Sequence, residues 1–153
     1  MNTQRQFGTF AVGPFWFCVA AEEIQEVLAP IATTPIPRTT DVVTGLVNLR
    51  GQILLAVDLR ARLDQPCAST ATTISLIVHT ADGPVSLRVD ALGDIVTLDE
   101  ATRIEPLPEN VGGPVRDITR GLIKQQNRLL LVLDPDRVVT TDACLIQYDQ
   151  ETL

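Results

Sequence analysis

The amino-acid sequence predicts a mostly β fold built from two similar small units. Three observations lead there. The apolar runs are short, rich in Val, Ile and Leu, and bounded by turn residues. Helix signals are few. A stretch that opens at Gly45-Leu46 recurs at Gly121-Leu122 with the same landmarks. The 153 residues are the length of one domain, or of two very small units sharing a core, so residues 1–153 are read as one domain.

Gln6 to Val12 and Phe15 to Val19 read as the first two strands, with Gly13-Pro14 as the turn between them. The uncharged run from Phe10 to Ala21 imitates a secretion signal, and Val19-Ala20-Ala21 resembles a cleavage site. Gly13-Pro14 interrupts that run and favours the hairpin. Thr40-Asp41 reads as the cap of a short helix through Val42, Val43, Leu46 and Val47. Ile53 to Val57 is a strand, followed by about one helical turn over Leu59 to Leu63. Ile74 to Val78 and Val85 to Val89 are strands around the turn Ala81-Asp82-Gly83-Pro84. Gly121 to Gln125 and Arg128 to Leu133 flank a turn at Gln125-Gln126-Asn127, and Pro135 to Val139 forms a last helical turn. The longest apolar runs, Ile53 to Val57 and Leu129 to Leu133, fall far short of the roughly 20 residues that span a bilayer.

The repeat is detailed. Gly45 to Asp58 aligns with Gly121 to Asp134 through the Gly-Leu start, a Leu-Leu pair and the closing Asp. Pro35-Ile36-Pro37 matches Pro106-Leu107-Pro108, and Phe17-Cys18-Val19 matches Leu87-Arg88-Val89. The offset grows from 70 to 76 residues, which places a longer loop near Glu109 to Arg116. The predicted units are residues 15–75 and 76–145, with a strand over 6–13 that can cross over to complete the second. Each is too small to hold a stable core alone, so the two should pack together.

Composition narrows the function. Twelve Lys and Arg against nineteen Asp and Glu give a net charge of −7, and aromatics make up 4%. Such a chain is poorly suited to nucleic acid, whose phosphates call for a basic surface, and to anionic membranes. Cys18, Cys67 and Cys144 are odd in number and widely spaced, without a CxxC, which speaks against a disulfide framework and a zinc site. A reducing cytoplasm is the expected compartment. His79 is the one histidine and lies in an apolar strand. Gly112-Gly113-Pro114 lacks the pattern of a phosphate loop. Glu22-Glu23 and Asp134-Pro135-Asp136 stand where acidic residues cap helices or face water. No catalytic constellation, metal site or cofactor site is expected.

The informative stretch is Gly45-Leu46-Val47-Asn48-Leu49-Arg50-Gly51, continuing to Val57-Asp58-Leu59-Arg60. Arg50 stands at a predicted helix-to-strand junction. It either offers a bidentate fork to a carboxylate or is a surface Arg beside a turn. This stretch resembles the signature of the CheW family of chemotaxis coupling proteins. Phe17-Cys18-Val19 with Ile24-Gln25-Glu26-Val27, Thr34-Pro35-Ile36-Pro37, Val89-Asp90-Ala91-Leu92-Gly93-Asp94-Ile95, and Gly121-Leu122 through Asp134 extend the resemblance over residues 6 to 140.

The resemblance implies two intertwined five-stranded β-barrels with a few short helices. It also implies a non-enzymatic cytoplasmic adaptor, joining the tips of chemoreceptors (methyl-accepting chemotaxis proteins) to the regulatory domain of the histidine kinase CheA. The receptor tip, a helical hairpin, would dock in an apolar groove between the barrels. Kinase and adaptor would meet through barrel ends. The matching partner-binding positions are Glu26, Asn48, Arg50 and Gly51 at the conserved junction, with Ile24, Val27 and Gly45 near the groove. Glu26 should pair with Arg50 in a partly buried contact. An appended receiver domain or kinase catalytic segment is not expected. The sequence departs from the family at Leu55, where Pro is usual and would shield a strand edge, and at Ala20-Ala21. The rival readings are a same-fold adaptor of another pathway, such as twitching motility, and a small β-barrel that binds a ligand or nucleic acid.

Overall fold

The computed structural model describes residues 4–37, 39–66, 73–99, 101–125 and 127–140. Cys67, Cys144, Gln126 of the predicted turn and the end of the second unit beyond residue 140 lie outside them. β1 (Arg5–Val12) and β2 (Phe15–Ala20) form a hairpin, and a 3-10 turn at Ala21–Glu23 leads into β3 (Ile24–Leu28). β4 (Val43–Leu49) and β5 (Gln52–Asp58) form a second hairpin, followed by α1 (Leu59–Arg62). β6 (Ile74–Thr80) and β7 (Gly83–Val89) form a third, followed by β8 (Ala91–Leu98). α2 (Gly113–Ile118) precedes the hairpin of β9 (Thr119–Gln125) and β10 (Arg128–Leu133), and α3 (Pro135–Val138) follows it.

Two five-stranded sheets result, in the orders β8-β1-β2-β10-β9 and β3-β6-β7-β5-β4. Their strand orders correspond position by position, with β5 parallel to β7 and β10 parallel to β2. The sequence repeat is thus a repeat of five strands, β1–β5 and β6–β10, but the repeats exchange parts. Each sheet combines the first hairpin of one repeat with the last three strands of the other. This corrects the predicted boundaries of 15–75 and 76–145: β2 belongs with β8, β9 and β10, whereas β6 and β7 belong with β3, β4 and β5. β1 lies in the sheet of β8–β10, paired to both β2 and β8.

A second correction concerns the helix expected over Val42, Val43, Leu46 and Val47: Val42 lies in a turn, and Val43 to Val47 form strand. Along β4 the buried positions are Val43, Gly45 and Val47, a period of two. The i, i+4 spacing of these valines fits either period. β-branched Val43, Thr44 and Val47 and a glycine at φ 146° decide for strand. α2, placed in a loop by the sequence reading, begins at Gly113-Pro114, where proline suits the first helical turn.

The repeat also explains local geometry. A bridge joins Thr34 to Leu46, and its counterpart joins Glu105 to Leu122. A Cβ on Gly45 would collide with the Thr34 carbonyl oxygen, and one on Gly121 would come within 2.5 Å of the Glu105 carbonyl oxygen. The matching glycines therefore let a flanking segment lie directly on each outer strand. Asp58 and Asp134 cap α1 and α3 by accepting from the Arg60 and Asp136 amides.

Three hydrophobic layers hold the molecule together. The central one, between the sheets, contains Phe10, Phe17, Val19, Val57, Leu59, Leu76, Leu87, Val89, Ile118 and Leu133. A second, around Phe7, Cys18, Val96, Ile123 and Leu130, fills the other side of the β1–β2 sheet. A third, around Val47, Leu54, Ala56 and Ile77, fills the other side of its partner. Alternation along each strand serves both layers: Phe17 and Val19 point one way, Cys18 and Ala20 the other. Residues of both edge strands join the second layer, so that sheet curls around it. The ladders do not close among the described residues, and the units are curled sheets where closed barrels were expected.

Cys18 lies fully inside, and burial pushes its thiol up to about 12. Thiolate is the reactive form. In a Cys67→Ser, Cys144→Ser background, Cys18 should therefore react with maleimide only as fast as the protein opens, measured by mass spectrometry with and without denaturant.

Candidate functional site

A largely apolar groove of about 360 Å³ runs between the two sheets. One wall comes from the β3–β6 sheet, with Ile24, Val27 and Leu76; the other comes from β1 and β8, with Thr9, Leu92 and Ile95. β3 and β8 are edge strands of their sheets, so the groove forms where two edges approach each other. Gly8 and Gly93 keep it open and close-packed at once. A Cβ on Gly8 would stand 2.6 Å from Ile24 Cδ1, and one on Gly93 would collide with Thr9 Oγ1. Ala21, one of the two alanines noted as a departure from the family, also lines the groove.

The groove's apolar surface faces water. Val27 is 41% exposed, Leu92 42% and Ile95 68%. Ile24 is only partly accessible and packs against the central layer. Ile24 thus supports the wall, whereas Val27 offers the surface. Leu92 and Ile95 match apolar positions of the family-like stretch Val89 to Ile95 but are not among the expected partner-binding positions. What marks them as docking surface is their exposure on β8, which depends on the fold.

The other four junction residues gather at the tip of the β4–β5 hairpin, not at a helix-to-strand junction. Leu49 pairs with Gln52, leaving Arg50-Gly51 as a two-residue turn with φ of 51° and 88°. Positive φ at both positions is the pattern of a type I′ turn, which matches strand twist. Asn48 Oδ1 accepts a 2.8 Å hydrogen bond from the Gly51 amide and secures the turn.

From this turn Arg50 donates to both oxygens of Glu26, at 2.8 and 2.6 Å. β3 and β4 are opposite edges of one sheet, so this fork bridges the seam that backbone ladders leave open. The expected partial burial is met on one side only: the Glu26 side chain is 22% exposed, whereas that of Arg50 is 68% exposed. The Arg50 hydrogen bonds hold the Glu26 carboxyl below its ordinary range. Whatever the pair contributes is present above the unfolded carboxylate's pKa and fades as pH falls through the lowered folded value. Arg50→Ala, Glu26→Ala and the double variant should keep the parent melting temperature closely, by calorimetry at neutral pH.

Gly45 does not line the groove. It is buried in β4 beneath Thr34 and Pro35, with φ of 146°, so its part is to seat that segment. Leu55 leaves no unpaired edge: β5 is flanked by β4 and β7, with Leu55 opposite both Leu46 and Val85. Among the described residues no group of three or more His, Cys, Asp or Glu could hold a metal ion, and no helix is long and apolar enough to cross a membrane. His79 is exposed on β6, away from the groove lining.

The arrangement is one of surfaces: an apolar cleft between the sheets and a hairpin tip held by the Arg50–Glu26 fork. Comparison with known proteins agrees with this geometry. The CheW-like domain profile matches residues 6–143. A chemotaxis protein CheW of Rhizobium meliloti is 30% identical over 142 residues, covering 92% of this chain and 91% of that one. The chemotaxis protein CheW of Bacillus subtilis is 27% identical over 144 residues, covering 94% and 92%. In fold, the chain is similar to the crystal structure of the scaffolding protein TtCheW from Thermoanaerobacter tengcongensis. The TM-score is 0.82 at 22% identity, covering 92% of this chain and 96% of that one.

Proposed function

The chain belongs to the CheW-like domain family, and from that premise we propose that it is a non-enzymatic chemotaxis adaptor that couples chemoreceptors to a histidine kinase. The single observation that carries the receptor half is the open groove between the sheets. Val27, Leu92 and Ile95 present apolar surface from both of its walls. A chemoreceptor tip is a pair of amphipathic helices. Helix-in-groove recognition places hydrophobic anchors on a preformed apolar surface of this kind.

The kinase half rests on the repeat. Ile53 on β5 and Leu129 on β10 occupy equivalent places, 76 residues apart, and are 60% and 56% exposed. Exposed large apolar residues at matching positions of the two sheets offer two similar contact points, one per unit. They suit the regulatory domain of the kinase, whose fold is of the same family. Asn48, Arg50 and Gly51 form the hairpin tip beside the first of these points, since Ile53 pairs with Asn48, and Glu26 of β3 is held against that tip by Arg50.

Affinity capture from the native cytoplasm with the full chain as bait tests this reading. A chemoreceptor and a histidine kinase should be recovered together. Recovery of neither, with the bait folded by circular dichroism, would refute it.

A further inference from the structure

The chain crosses from one sheet to the other twice next to the groove, between β2 and β3 and between β7 and β8. The second crossing is abrupt. β7 ends at Val89, β8 begins at Ala91, and Asp90 alone lies between them. The amide and both carboxylate oxygens of Asp90 are tied down. Its amide donates to the Ala11 carbonyl at 2.9 Å, and Oδ2 accepts from the Gly13 amide at 2.7 Å, both on the β1–β2 hairpin. From α1, which follows β5 of the other sheet, Arg60 donates through Nε to Oδ1 and through Nη2 to Oδ2, each at 2.7 Å. The third arm of that guanidinium, Nη1, donates to the Pro66 carbonyl at 3.0 Å.

We propose that Arg60 is a positioning residue for the docking groove: through Asp90 it sets where β8 starts, and so where Leu92 and Ile95 stand relative to Ile24 and Val27. This deepens the proposed function and rests on the same groove. The physical reasons are three. Asp90 alone separates β7 from β8, so fixing it fixes where β8 starts. Leu92 follows two residues later and Ile95 five, within the length of one short strand. The fork from Arg60 is planar and bidentate, so it constrains angle as well as distance, which a lone ammonium does not. Both side chains are about one-fifth exposed, enough burial for the pair to hold its geometry.

The other crossing, through the 3-10 turn at Ala21–Glu23, has a looser counterpart. Arg120 contacts Glu23 at 3.3 Å through Nη1 and Asp134 at 3.5 Å through Nε, and its side chain is 40% exposed. A second tie from α1 makes the natural control. Arg62 donates to the Val138 and Arg137 carbonyls on α3 and reaches neither β8 nor the groove.

The test compares the parent chain with Arg60→Ala, Arg60→Lys and Arg62→Ala. Two readouts are used: methyl NMR of Leu92 and Ile95 in the unbound protein, and titration with a soluble helical hairpin from a chemoreceptor cytoplasmic tip. Arg60→Ala should move the Leu92 and Ile95 methyl signals and weaken tip binding about fivefold or more, although Arg60 does not line the groove. Arg60→Lys should recover part of both effects. Arg62→Ala should lower the melting temperature without moving those methyls. Unmoved Leu92 and Ile95 signals in Arg60→Ala would overturn the proposal, as would parent-like affinity. If the parent chain itself fails to bind the tip, the adaptor reading falls, and the unbound methyl signals still decide the role of Arg60.

Discussion

Val27→Asp should weaken binding of a chemoreceptor tip by at least about tenfold while the protein stays folded. The magnitude follows from what binding must bury. Full burial of a valine side chain contributes about 1.5–3 kcal/mol, and Val27 has already withdrawn more than half its surface from water. The remaining apolar gain is therefore modest, and Val27→Ala should cost about 1 kcal/mol or less. An aspartate at the same place is different, because the docked helix would have to cover an unpaired carboxylate. That penalty exceeds the roughly 1.4 kcal/mol that separates a tenfold change in affinity. Folding survives because Val27 is 41% exposed on an edge strand. Ile24→Asp makes the contrast: Ile24 packs on the central layer, and its variant should unfold. Calorimetric titration of both variants checks the pair, and parent-like affinity of folded Val27→Asp would place the docking surface elsewhere.

Phe17→Ala should lower stability by about 3–5 kcal/mol, a large part of the 5–15 kcal/mol usual for a domain. Phe17 is fully buried and stacks on Phe10 with ring centroids 5.6 Å apart, in the layer between the sheets. The two rings lie on the β1–β2 hairpin, yet the same layer holds Leu76, Leu87 and Val89 of the other sheet. The exchange of hairpins between repeats makes the two sheets depend on each other, so both should lose protection in one transition. Denaturant unfolding followed by Trp16 fluorescence reports the β1–β2 sheet. Hydrogen exchange at Leu54 and Ile77 reports the other. Coincident midpoints in parent and variant are expected; persistence of Leu54 and Ile77 protection after the Trp16 signal is lost would show that the units fold separately.

Much of this architecture is legible in the residues. The predicted strands at Gln6 to Val12, Phe15 to Val19, Ile74 to Val78, Val85 to Val89 and Arg128 to Leu133 form within a residue or two of their expected bounds. Strong local patterns need no tertiary help. The Gly-Leu and closing Asp landmarks of the repeat mark a common device: a glycine that seats a flanking segment and an aspartate that caps a short helix.

What escaped the sequence reading depended on contacts distant in the chain. The unit boundaries failed because strand partners are chosen by burial on both faces, which a linear repeat does not record. The apolar spacing of β4 fits both the helical and the strand period until its neighbours β5 and Thr34 are known. At the site, the meeting of Glu26 with Arg50 follows from the family resemblance, but the exposure of Arg50 depends on its place in the β4–β5 turn. Half of the groove, Leu92 and Ile95, came from a strand that only the fold brings opposite Val27.

The central claim is that a receptor helix occupies the groove between the sheets. The most direct measurement is a methyl NMR titration of the full chain with a soluble chemoreceptor tip hairpin. The account predicts the largest shifts at Val27, Leu92 and Ile95, on both walls together, with Ile53 and Leu129 unmoved. Shifts centred on Ile53 or Leu129 with the groove silent, or a saturating tip that moves none of these methyls, would contradict it.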